Sequence, residues 1–242
     1  MIPLVRVCCV GAVAMVATTV MAQPTRLLVG PFSHLAAGGM PVGWEQMRFP
    51  SITAETEYGL VSQNGRVVLE ARSQASASAA LKRVSIDVER RPVIHWSWKT
   101  NPDCYAGDWG DPETDDFPLR LFVIFEPTGG MFSRLKRLGP GFQGDSIVYV
   151  PQSVPARTFD STSHVNARIK VLPVQPVTAR GAGATDDDGW AHHRRDVRAD
   201  YVALFGREAD TVAGVAVMTD TDNSGTACVS HFGDISFSES AL

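Results

Sequence analysis

Short apolar runs recur along the chain, separated by Gly, Pro, Asn and Asp, which is the pattern of strands and turns. The spacing predicts strands over 58–63, 66–72, 80–87, 93–99, 117–126, 146–150, 167–174, 212–219 and 229–237. Asn64-Gly65 lies between the first two, and both residues tolerate the positive φ that a two-residue hairpin turn requires. Over 93–99, Ile94, Trp96 and Trp98 alternate with His95, Ser97 and Lys99, so one face is apolar and the other polar. The segment 117–126 is apolar on both faces apart from Arg120 and Glu126, which suits a strand in mid-sheet covered on each side. One helical stripe stands out near 196–205. Val197, Tyr201, Leu204 and Phe205 fall at i, i+4, i+7 and i+8, with Asp196 to cap and Gly206 to stop. The stretch 177–189 is polar and glycine-rich and reads as a mobile surface loop. These elements predict an all-β fold: two antiparallel sheets stacked as a β-sandwich, with one short helix packed against it.

The first 22 residues do not fit that pattern. A single charge, Arg6, precedes an apolar run over 7–21, and Val20-Met21-Ala22 places small residues where a signal peptidase needs them. The run is shorter than the roughly 20 apolar residues of a spanning helix, and Gln23-Pro24 ends it. Cys8 and Cys9 open the run, whereas a lipid-modified cysteine would follow it. The expectation is a cleaved signal peptide over 1–22, no stable membrane anchor, and a β-sandwich over 23–242 in the periplasm or outside the cell.

The chain carries 22 Lys and Arg against 26 Asp and Glu, and one of the basic residues is the leader's Arg6. An acidic chain lacks the electrostatic footprint for phosphate backbones, so nucleic acid is not an expected partner. Two cysteines outside the leader, Cys104 and Cys228, read as a disulfide in an oxidising compartment. Their Cα atoms should lie within the roughly 7 Å limit for a bridge. Closing a loop of that length would add about 4 kcal/mol through the unfolded state.

Several motifs lose their chemistry on inspection. Gly144-Asp145-Ser146-Ile147 looks like an esterase nucleophile block, but a strand follows it where a helix is needed, and no Asp-x-x-His exists downstream. Gly181-Ala182-Gly183 lacks the strand–helix frame of a dinucleotide fingerprint. His192-His193 would point to opposite faces of a strand and reads as a pair of surface histidines. Asp220-Thr221-Asp222-Asn223-Ser224-Gly225 matches the first half of an EF-hand loop, yet position twelve is His231 where bidentate Glu is required. The block reads first as a tight turn. Asp220 and Asp222 are the weaker candidates for a different calcium site, and no other cofactor is expected.

A constellation remains. Arg120 sits in a strand too apolar to leave a charge unpaired, so Asp115, Asp116, Asp220 or Asp222 should be its partner, with Lys99 facing the same patch. Joined by Asn223 and an aromatic platform at Trp44 or Trp109, these residues form a candidate ligand site. Carbohydrate sites combine such carboxylates and amides for hydroxyls with an aromatic for the C–H face of the sugar.

The blocks FSHLAAGGMPVGWEQMRFP, HWSWK, DDFPLRLFVIF, RRDVRADYVALFG, VAVMTDTDNSG and HFGDISF resemble an exported bacterial family, domain of unknown function 3047. The resemblance implies a galactose-binding-like jelly roll and brings no established activity. The insert over 131–144 and the Cys104/Cys228 pair depart from it. Three readings follow. The first is a non-catalytic module that binds a glycan or similar polar ligand. The second is a polysaccharide-acting enzyme using the aspartate pairs Asp115/Asp116 and Asp220/Asp222. The third is a structural envelope protein.

Overall fold

The computed structural model describes residues 25–49, 51–104, 116–126, 144–151, 168–178, 181–182, 185–209 and 211–240. The expected leader and its expected cleavage point, Asp115, Trp109 and nearly all of the 131–144 insert lie outside them.

Two sheets stack face to face. In the first, β6 (Val93–Thr100) is central. One of its edges pairs with β12 (Ala191–Asp196), and the other with β14 (Ala227–Phe232) and then β15 (Ile235–Ser238). The strand expected over 229–237 is therefore two, broken at Gly233-Asp234, where the Gly233 N–H donates to the Ser97 carbonyl at 2.9 Å. A Cβ at Gly233 would come within 2.2 Å of Ser97 Oγ, so a larger residue there would have to displace that hydroxyl. Beyond β14 lie β4 (Arg66–Gln74) and β3 (Glu57–Gln63), and beyond β15 lies β1 (Leu27–Gly30). Asn64 (φ 49°) and Gly65 (φ 78°) make the hairpin turn between β3 and β4 as anticipated.

The second sheet runs β2 (Trp44–Arg48), β5 (Ser78–Asp87), β13 (Thr211–Met218), β7 (Arg120–Phe125), β8 (Ser146–Pro151) and β9 (Ile169–Val174). Its pairs are antiparallel except β8 with β9, which run parallel. As the two-faced apolar pattern requires, β7 lies between β13 and β8. Leu121, Val123 and Phe125 enter the central core, while Phe122 and Ile124 join apolar clusters on the outer face. The strand starts at Arg120 and not at 117, because the backbone of 117–118 bonds to a neighbouring turn and to side chains instead of a ladder.

The core fills the space between the sheets. From the first come Leu69, Trp96, Trp98, Phe232 and Phe237; from the second come Leu121, Tyr149, Val215 and Val217. The predicted helix is α1 (Val197–Phe205). The Asp196 carboxylate accepts from the Ala199 N–H at 2.9 Å, and Gly206, at φ 69°, closes the other end. Val197 and Tyr201 are buried, with Leu204 and Phe205 partly so. Polar bonds lock the same face down. The Tyr201 hydroxyl donates to Asp145 at 2.8 Å, and Asp145 also accepts from Arg168 and Arg207. Asp200 accepts from the Tyr149 hydroxyl at 2.8 Å and from Arg195. Asp145 thus anchors a helix, consistent with the rejection of an esterase motif around it.

Two expectations need correction here. The stretch 177–189 is not simply a mobile loop: it contains the small hairpin β10 (Val177–Thr178) and β11 (Gly181–Ala182), and a turn in which the Asp186 carboxylate accepts from the Trp190 N–H at 2.7 Å. Nor are both histidines of the pair on the surface. They do point to opposite faces, which sends His192 outward and His193 into the core. His193 stacks on Trp96 at 4.7 Å and meets Trp98 edge-on at 4.6 Å, with Nδ1 donating to the Gln175 carbonyl at 3.2 Å.

Burial pushes the pKa of His193 down to about 3. The folded imidazole is neutral, while the unfolded one titrates near 6.5. Its contribution to stability is therefore complete above pH ~6.5 and is lost as pH falls toward the folded value. Urea unfolding should show stability decreasing from pH 7 to pH 4, with a shallower decrease in His193→Phe. An identical slope in the two proteins would show that His193 is not held neutral.

Candidate functional site

Part of the anticipated constellation, Arg120 with Asp116, Asp220 and the 220–225 turn, comes together at the start of β7 and the end of β13, around internal bonds. Arg120 Nη2 donates to Asp220 Oδ2 at 2.7 Å, and the Phe117 N–H donates to Asp220 Oδ1 at 2.9 Å. The guanidinium also lies over the Phe117 ring, 4.3 Å from its centre. Only 15% of the Arg120 side chain and 4% of that of Asp220 are exposed, so the pair is a desolvated one. Asp116 accepts from the N–H groups of Asn223 (3.1 Å) and Ser224 (2.6 Å), gripping the turn from outside. That turn is the tight one expected over 220–225. Gly225, at φ 66°, donates its N–H to the Thr221 carbonyl at 2.9 Å.

Asp116, Asp220 and Asp222 bring carboxylate oxygens within 4.8 Å of one another, a donor set of the kind hard cations take. Burial, with Asp116 alongside, raises the pKa of Asp222. Lys99 does not belong to this group. Because Trp98 fills the core, the next residue must face outward from the first sheet, and Arg120 sits on the second. Lys99 Nζ donates to the Asp188 carbonyl at 2.7 Å and its backbone pairs with His231. Trp44 is no platform either, being buried with its ring 5.3 Å from that of Phe32.

The same end of the sandwich carries a chain of buried hydroxyls. Thr219 and Ser230 both donate to the Pro118 carbonyl, at 2.8 and 2.6 Å, and Thr221 bonds Ser73 at 2.8 Å. Cys104 and Cys228 form a disulfide there, with Cα atoms 5.2 Å apart. A groove of about 560 Å³ beside it is walled by Glu55, Glu57 and Asp103 against Arg72, which Glu70 already pairs.

A second groove, of about 380 Å³, crosses the solvent face of the first sheet. Strand register builds it. Arg194 on β12 stands opposite His95 on β6, which stands opposite Ser236 on β15, which stands opposite Leu28 on β1. Directly opposed residues on one face are neighbours, so these four form a transverse row. Ser97, opposite His192, begins the next row. Arg26, Arg66 and Asp234 complete the walls. His95 Nε2 bonds Ser238 Oγ at 2.8 Å. Burial, reinforced by Arg26 and Arg194, lowers its pKa to about 4.

A family model described as a protein of unknown function (DUF3047) matches residues 42–236. The chain belongs to the DUF3047 family. The DUF3047 match takes in the aspartate cluster and most of the groove, with Arg26 and Leu28 just before it. No curated protein matches the sequence. Solved structures overlap it loosely. One is the K1 cleaved adhesin domain of Lys-gingipain from Porphyromonas gingivalis W83, with TM-score 0.37, 10% identity, and 90% of this chain and 99% of that one covered. Another is a carbohydrate-binding module specific for non-crystalline cellulose, with TM-score 0.37, 11% identity, and 88% and 91% covered. A third is a cellulase derived from Cel12A of Rhodothermus marinus, with TM-score 0.41, 9% identity, and 90% and 100% covered. The architecture rests on the strand pairings themselves.

Sequence reasoning found the polar face of β6 but missed the groove, because Arg194, Ser236 and Leu28 join it only through pairings between distant strands. For the aspartate cluster, the buried pair sets the expected energetics. Arg120→Ala should destabilise the protein by about 3–5 kcal/mol, since it leaves a buried acid uncompensated. Lys99→Ala, at a half-buried position outside the cluster, should change stability by no more than about 1 kcal/mol. Equal effects of the two in urea unfolding would refute the division drawn here.

Proposed function

We propose that this protein is a non-catalytic, exported binding module, and that its ligand is a glycan or a similarly polyhydroxylated molecule held on the solvent face of the first sheet. One observation carries the reading: hydroxyl, imidazole and guanidinium groups line a groove whose geometry is fixed by strand pairing. Groups mounted on strands keep their positions without a binding partner, which lowers the ordering cost of recognition. The groove's volume falls at the small end of ligand sites. The leader over 1–22 and the disulfide support an oxidising, extracytoplasmic setting.

A hydrolytic reading draws support from Asp222, whose raised pKa suits a general acid. Against it, Asp116 and Asp220 accept bonds from backbone N–H groups and Arg120.

A glycan array probed with the purified chain tests both readings, with product analysis of every glycan retained. The expected outcome is reversible retention of intact oligosaccharide, lost in Ser236→Trp, which fills the groove. Shortened products that vanish in Asp222→Asn would favour the hydrolase, and no retention at all would refute the binding module.

A further inference from the structure

The whole chain is acidic, yet the walls of this groove are basic. Arg26, Arg66 and Arg194 face a single carboxylate, Asp234. That carboxylate accepts from both the N–H and the hydroxyl of Ser33, at 2.8 and 2.5 Å, and its remaining approach, at 3.8 Å, is to Arg66. Arg66 also lies over the ring of Trp190. Among the described residues no carboxylate lies within 4.0 Å of Arg26 or Arg194. The second acid nearby, Asp186, is engaged by His192 at 3.1 Å.

Register places Arg194 at one flank of the row, while Arg26, just outside β1, lines the groove near its other flank. Arg194 borders His95 on one side, and Arg26 precedes Leu28, the last member of the row, by two positions. Between them stand His95 and Ser236, and Ser97 in the next row. Like charges brought this close repel, and a chain with a surplus of acids has ample means to neutralise them. A guanidinium is matched by a planar or tetrahedral oxyanion that takes two of its N–H groups at once. A neutral imidazole and two hydroxyls suit sugar hydroxyls, which need both donors and acceptors.

Resting on the glycan-binding reading above, we infer that the groove selects an acidic polysaccharide, whose sugars bear carboxylate or sulfate ester groups, and that Arg26 and Arg194 read the charge. The middle of the row holds the ring hydroxyls, and the flanking guanidiniums take the anionic substituents. Burial first, and then the nearby Arg26 and Arg194, keep His95 neutral, so anion binding depends on the arginines and not on an imidazolium.

Calorimetric titration with three oligosaccharide probes tests the assignment: oligogalacturonate, dextran sulfate fragments, and neutral dextran of matched length. At least one anionic probe should bind about tenfold or more tightly than dextran. Which of them binds separates carboxylate from sulfate. Rising salt should weaken the anionic probe selectively. Arg26→Gln and Arg194→Gln, both exposed and safe for folding, should each lose about tenfold for the anionic probe. Arg90→Gln, in an exposed turn, should lose nothing. Equal binding of neutral and anionic probes, or anionic binding that survives both substitutions, would overturn the charge reading and leave the glycan reading standing. Binding of none of the three, by a chain that also retains nothing on the array, would overturn both.

Discussion

The Arg120–Asp220 pair is the constraint on which one end of the sandwich depends. Arg120 opens a strand that is apolar on both faces, and desolvating its charge would be prohibitive without a carboxylate. Asp220 supplies one immediately after β13, the strand beside β7. Once the pair forms, residues 116–118 are drawn across to 219–224, and Asp116 can hold the Asn223 and Ser224 N–H groups. Pro118 then presents its carbonyl to Thr219, which follows β13 of the second sheet, and to Ser230 of the first. Joining two sheets through buried hydroxyls demands that every donor be satisfied, and the ion pair positions the segment that does so. The disulfide between Cys104 and Cys228 reinforces the same end covalently.

Much of this was legible in residue pattern. Alternation located β6 and its inward tryptophans, Asn64-Gly65 marked a hairpin, and Asp196 and Gly206 bracketed the helix. The reasoning that a buried arginine needs an acid named Asp220, with which Arg120 does pair, among its candidates. Other features failed for definite physical reasons. Strands β1, β2 and β12 escaped notice because Leu27–Gly30 is short and both Trp44–Arg48 and Ala191–Asp196 are rich in polar residues. Edge or near-edge strands of this kind take their stability from pairing and not from an apolar run. His193 is buried because Trp96 and Trp98 supply a ring-lined slot, which no local signal reveals. Lys99 was assigned to the wrong patch because alternation tells which face a residue takes, not which sheet lies across from it.

The aspartate cluster and the sheet-face groove therefore divide along energetic lines. At the aspartate cluster, charges are buried and committed to holding the chain, and the expected consequence of altering them is lost stability. On the first sheet's outer face, charges are exposed or partly exposed, and unbalanced in sign. A surface arrangement of that kind contributes little to folding, and under the proposed function it serves ligand recognition. This contrast supports placing the site on the sheet face and treating the conspicuous DTDNSG block as architecture.

Chemical-shift mapping with an acidic oligosaccharide, oligogalacturonate or dextran sulfate, tests that division most directly. The account predicts that saturating ligand shifts the amide signals of His95, Ser97, Arg194 and Ser236 while those of Phe117, Asp220 and Asn223 stay in place. Shifts centred on Asp116, Asp220 and Asp222, with the sheet face unmoved, would contradict it.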